Sequence, residues 1–104
     1  MQKRVLQIQR RIEKIKQQLQ GVGEMRPGSL TRQYKKPKEK KGGFYQISYT
    51  YRMKSKTEYV RSEFVDMLKE QVKTFKQFKR LIKKWTDLAM EHSKLKIEEL
   101  KKKA

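Results

Sequence analysis

The sequence predicts an α+β fold, mainly helical: an N-terminal helix, a basic loop, a small β-hairpin and a long C-terminal helix. Three features of the 104-residue chain predict it. Apolar residues recur at three- and four-residue steps towards both ends, and the period drops to two in the middle. Neither glycine nor proline occurs after Gly43. A chain of this length reads as a single domain, 1–104, with a modest core, because so small a domain buries only about two-thirds of its unfolded surface.

Residues 2–20 read as the first helix. Val5, Ile8, Ile12, Ile15 and Leu19 form a heptad stripe separated by Arg10, Arg11, Glu13, Lys14 and Gln17. Such a stripe packs on another helix. It is too short for an independent coiled coil, so the C-terminal helix is its expected partner. Gly21 and Gly23 end it.

Residues 24–43 read as a basic linker loop. Pro27-Gly28 is a turn signal, and Ser29 or Thr31 is expected to cap a short helical turn through Leu30 and Tyr34. The run Lys35-Lys36-Pro37-Lys38-Glu39-Lys40-Lys41, closed by Gly42-Gly43, reads as a solvated, mobile, cationic loop.

The hairpin is expected over 44–61. Tyr45, Ile47, Tyr49, Tyr51 and Met53 share one face; Gln46, Ser48, Thr50, Arg52 and Lys54 share the other. The turn is placed around Lys54-Ser55-Lys56, with a second strand near Thr57–Arg61. From Ser62, read as the N-cap with Glu63 and Asp66 in the first turn, an amphipathic helix is expected to about residue 100. Its stripe is Phe64, Leu68, Val72, Phe75, Phe78, Ile82, Trp85 and Ala89. A helix of that length spans about 55–60 Å, so it either extends past the rest of the domain or bends near Trp85.

Charge narrows the function classes. Lys and Arg number 29 against 11 Asp and Glu, a net charge of +18. Self-repulsion on that scale is relieved by a polyanion, and nucleic acid is favoured over a membrane surface. A merely lysine-rich, ion-paired surface fits less well, because ion-pair networks need both signs in rough balance. There is no cysteine, which excludes disulfides and thiolate metal sites. No run of about 20 apolar residues is present to cross a membrane, and the N-terminus lacks the apolar core of a signal peptide. The cytoplasm is the default compartment.

Arg26-Pro27-Gly28-Ser29-Leu30, Tyr34, Gly42-Gly43-Phe44-Tyr45, Lys56-Thr57 and Tyr59-Val60 before a long helix resemble a family of short uncharacterised proteins. These come from bacteria and archaea and are often encoded near transposases. The resemblance covers roughly residues 26–90. The family's usual form carries a cysteine cluster before a His-Gly-Pro-Tyr segment. Here Lys35 to Lys41 occupy the first stretch and Lys41-Gly42-Gly43-Phe44 the second, so the family's metal knuckle is not carried over. What the resemblance implies is the architecture and a mobile-element context.

Catalysis needs convergent chemistry, and the candidates are sparse. His92, the only histidine, reads as a half-buried helix residue. Asp66 and Glu70, one turn apart, can in principle share a divalent ion, but helix-dipole and i to i+4 pairing explain them more simply. The expectation is therefore a non-enzymatic protein without a cofactor. Its candidate nucleic-acid contacts are Lys35, Lys36, Lys38, Lys40, Lys41, Gln46, Arg52, Lys54, Lys56 and Arg61. Lysines would hold phosphates, while Gln46, Ser48, Thr50 and Arg52 on an exposed ribbon would meet base edges in a major groove. A hairpin followed by a helix also resembles, in shape, the arm-binding domains of tyrosine integrases. Duplex DNA is favoured over structured RNA, for which Tyr49 or Tyr51 would be the stacking rings. The alternative is a helical oligomerisation or adaptor protein, a homodimer or one docking on a partner such as a transposase.

Overall fold

The computed structural model describes residues 3–103. Its elements are α1 (Lys3–Gln20), β1 (Ser29–Lys36), β2 (Lys41–Tyr51), β3 (Lys54–Val60), a single 3-10 turn (Ser62–Phe64) and α2 (Val65–Lys103). The fold is α+β and mainly helical. Contacts divide the chain into two compact units, Gly23–Lys76 and the remainder, and α2 contributes to both.

The helical unit follows from the heptad stripe. Ile8 and Ile15 are buried against Leu81 and Leu88, and Ile12, Leu19, Val22, Trp85 and Leu95 close the seam. Burial of each large aliphatic side chain is worth about 1.5–3 kcal/mol, which outweighs the low intrinsic stability of an 18-residue helix. Polar contacts frame the seam: Arg4 pairs with Glu91 at 2.8 Å, and Gln9 lies 3.2 Å from His92 Nε2. The chain leaves α1 through a tight turn in which the Gly21 N–H donates to the Gln18 carbonyl at 3.1 Å.

The sheet unit corrects the linker expectation. Residues 29–36 form a strand rather than a loop with a helical turn, and the sheet has three antiparallel strands in the order β1-β2-β3. Leu30 pairs with Ile47, Arg32 with Tyr45 and Tyr34 with Gly43. Strand formation is favoured because Leu30 buries against Ile47, Val60, Val65, Leu68 and Val72. Arg32, on the same face, lays its guanidinium over the rings of Tyr34 and Tyr45, at 5.5 and 5.8 Å. The lysine run is the end of this first hairpin, with Lys36 opposite Lys41 and a turn over 37–40. Glycine is needed at Gly42, where φ is +67° and a Cβ would lie 3.1 Å from Lys35 Cβ.

The second hairpin closes earlier than expected. Tyr51 pairs with Lys54, so Arg52 and Met53 make a two-residue turn, and Lys54-Ser55-Lys56 belong to β3. Both turn residues have positive φ, 50° and 65°. Asn-Gly is the usual solution for this turn, and ordinary L-residues there cost about 1–2 kcal/mol each. Met53, expected on the core face, is 98% exposed at the tip.

Two further corrections concern α2. Ser62 is not a side-chain cap: it begins the 3-10 turn, whose N-cap is Arg61 without a side-chain hydrogen bond. The buried positions are Val65, Leu68, Val72, Leu81 and Leu88, whereas Phe64 and Ile82 of the expected stripe are exposed. Two apolar rows run along this helix, and the packing partners select the row containing Leu81 and Leu88. The helix continues through Trp85 without a break.

Candidate nucleic-acid interface

Strand pairing sorts the sheet's side chains by face. Ile47, Tyr45, Tyr49 and Leu30 pack on α2. The other face carries Ser29, Ser48 and Thr57 in one cross-strand row, and Thr31, Gln46 and Tyr59 in the next. Gln33 pairs with Phe44, and Thr50 with Ser55. Apart from Lys35 at its end, this outer face is uncharged and dense in hydroxyl and amide groups. Some of these groups bond to one another: Ser48 Oγ lies 3.1 Å from Thr57 Oγ1 and Thr50 Oγ1 3.3 Å from Ser55 Oγ.

The cations stand at the two ends of the sheet, not all of them on this face. Lys35 and Lys36 end β1, Lys38 and Lys40 lie in the turn, and Lys41 begins β2; all five are exposed. Arg61, which leaves β3 at the same end, pairs with Glu63 at 2.6 Å. Arg52, Lys54 and Lys56 lie at the opposite end. Along β2 the levels of Lys41 and Tyr51 lie roughly 33 Å apart at about 3.3 Å per residue, whereas Lys56, opposite Tyr49, and Arg61, one residue past Val60, stand roughly 17 Å apart. The ten residues expected to bind together therefore form two cationic ends and one central amide, Gln46. Arg52 does not share a strand face with Gln46; it sits in the turn, its guanidinium 5.2 Å from the Tyr51 ring centre. Lys54 and Lys56, paired with Tyr51 and Tyr49, lie on the helix side of β3.

Near the helix-side edge, the Glu58 carboxylate accepts a hydrogen bond from the Tyr49 hydroxyl (2.6 Å) and one from Arg26 (3.2 Å). The Arg26 backbone N–H donates to the Gln71 carbonyl (3.1 Å), tying the segment before β1 to α2. The Tyr49 hydrogen bond first, then the Arg26 one, holds the Glu58 carboxyl below the usual carboxylate range. That same bond to Glu58, helped by desolvation, pushes the Tyr49 hydroxyl up. The Tyr49 hydroxyl is thereby engaged within the fold, and the Arg26 guanidinium lies 5.0 Å from its ring centre. A depressed carboxyl stabilises the fold above its unfolded pKa and loses that effect as pH falls through the folded value. Glu58→Gln is therefore expected to lower the melting temperature slightly at pH 7, by a screened, half-exposed amount. The difference should shrink in acid, as pH falls through the lowered folded value of the carboxyl. Melts at neutral pH and in acid check this, and an equal deficit at each would contradict it.

Sequence reasoning missed an aromatic cleft. Lys35, Gly42, Gly43, Phe44 and Tyr59 line a recess of about 360 Å³. The Phe44 and Tyr59 ring centroids are 6.2 Å apart with the planes at 42°. Phe44 shares its parity with Gln46, which signals an outward ring. The face of Tyr59 depends on the β2–β3 register, which the sequence leaves open.

Among the described residues no group of three or more His, Asp or Glu is placed to hold a metal ion. No helix there is long and apolar enough to cross a membrane. Comparison of the chain with protein-family models, curated proteins and solved structures gives no match.

Proposed function

We propose that this chain is a non-enzymatic, cytoplasmic nucleic-acid-binding protein that lays the outer face of its three-stranded sheet against bases. The observation that carries the reading is a neutral, hydrogen-bonding strand surface with the lysine-rich hairpin end on one side and the Arg52 turn on the other. Positive ends suit phosphates, which dominate affinity, while Gln46, Thr31, Ser48 and Thr57 suit base edges, which carry specificity. Spread over roughly 17–33 Å along the strands, the two groups would meet different phosphates rather than compete for one. A β-surface of this kind fits a major groove, and duplex DNA is favoured over structured RNA. The resemblance to proteins encoded near transposases adds an accessory role in a mobile element as context.

The test is binding measured at several salt concentrations. Affinity should be high at low salt, and its logarithm should fall linearly with log salt at about −0.9 per phosphate contact. Absence of binding at low salt, or insensitivity to salt, would contradict the proposal.

A second reading, oligomerisation or docking on a protein partner, draws on Met90, Ile97 and Leu100, which are exposed on α2. Against it, the heptad stripe of α1 is already satisfied within the chain.

A further inference from the structure

The aromatic cleft asks for a ligand more specific than a phosphate chain. Tyr59 is 67% exposed on the outer face of β3. Its ring does not stack face to face on Phe44, since the planes are tilted by 42°. A flat π-surface is therefore presented to solvent, beside a stretch of bare backbone. That stretch is bare for a structural reason. Gly42 has φ +67°, and a Cβ there would crowd the Lys35 stem at 3.1–3.3 Å; a Cβ on Gly43 would meet the Arg32 guanidinium at 2.9 Å on the other face. The Lys35 stem thus lies over Gly42 and helps line the cleft with a cationic side chain. At about 360 Å³ the recess is at the small end of the ~300–1,000 Å³ typical of small-ligand sites. It adjoins the end of the sheet where five lysines are gathered.

Resting on the nucleic-acid reading above, we infer that this cleft takes one unpaired nucleobase of a bound strand. The base stacks on Tyr59 and Phe44, and the neighbouring phosphates meet Lys35 and the hairpin lysines. A ring-lined recess beside concentrated positive charge matches the two halves of a nucleotide within a polyanion. Stacking is tolerant of base identity because every base has a π-face. A continuous duplex keeps its base faces inside the stack and cannot fill the cleft, so the preferred target carries a single-stranded extension, a gap or a bulge beside duplex.

The experiment compares a blunt DNA duplex with the same duplex bearing a short single-stranded overhang. The overhang contains a fluorescent purine whose emission is quenched by stacking. Affinities of the whole protein and of Tyr59→Ala and Phe44→Leu are measured at one low salt concentration, with circular dichroism melts confirming the fold. The expected result is about tenfold tighter binding of the overhang probe, with quenching, and loss of both the preference and the quenching in Tyr59→Ala. Phe44→Leu keeps apolar bulk and should show a smaller loss of the same kind. Equal affinity for the two probes, unaltered by Tyr59→Ala, would overturn the inference while leaving nucleic-acid binding intact. Absence of binding to either probe would overturn both.

Discussion

Replacing Lys35, Lys36, Lys38, Lys40 and Lys41 together by glutamine is expected to weaken nucleic-acid binding about a hundred- to thousand-fold at low salt. It should also flatten the salt dependence by about four to five slope units, roughly one per lost phosphate contact. The fold should survive, because all five side chains are exposed and none belongs to the sheet's apolar core. The matched control replaces Lys94, Lys96, Lys101, Lys102 and Lys103, an equal charge on the later part of α2. Its expected cost is clearly smaller. Equal losses would mean that binding follows bulk charge and that the hairpin end has no special role. A larger loss from the α2 set would make the helix the reader. Circular dichroism and titration at three or more salt concentrations separate these outcomes.

The second large effect lies in the two cores. Ile8 is fully buried in the helical unit, and Leu68 is 6% exposed in the sheet unit. An aspartate at either position places an unpaired charge in a small apolar seam, at a cost of about 3–5 kcal/mol. For a chain of this size that corresponds to a fall in melting temperature of more than about 12 °C. The two variants should differ in function. Leu68→Asp removes the packing that holds the sheet against α2 and should abolish specific binding. Ile8→Asp loosens α1, whose cluster shares no buried residue with the sheet's core. It should retain most of the affinity at temperatures below its melt. Loss of binding in Ile8→Asp at a temperature where its sheet is still folded would move the interface to the helical unit.

The parts of this fold that were legible in the sequence are those where one physical signal dominates. The heptad of α1 is read correctly because Val5, Ile8, Ile12, Ile15 and Leu19 have no competing pattern, and the period of two through Tyr45, Ile47 and Tyr49 identifies β2. β1 was hidden because its core face alternates Leu30, Arg32, Tyr34 and Lys36, and a cation resting on aromatic rings breaks the apolar period. The lysine density that follows reads as a loop although Lys35, Lys36 and Lys41 are strand residues. The Arg52-Met53 turn was invisible because neither residue favours the positive φ it adopts. On α2, spacing alone does not choose between the row of Ile82 and that of Leu81 and Leu88. For the candidate site, composition found the cations, but their division between two ends and the meeting of Phe44 with Tyr59 depend on strand register.

The central claim, that the sheet's outer face and its lysine-rich end form the interface, is tested most directly by amide chemical-shift mapping during titration with duplex DNA. The account predicts that the largest changes fall on Thr31, Gln46, Ser48 and Thr57, on Lys35 to Lys41, and on Arg52. Smaller changes are expected for α1 and for the C-terminal half of α2. Changes concentrated on α1 or on residues 90–103, with the sheet face unperturbed, would contradict it.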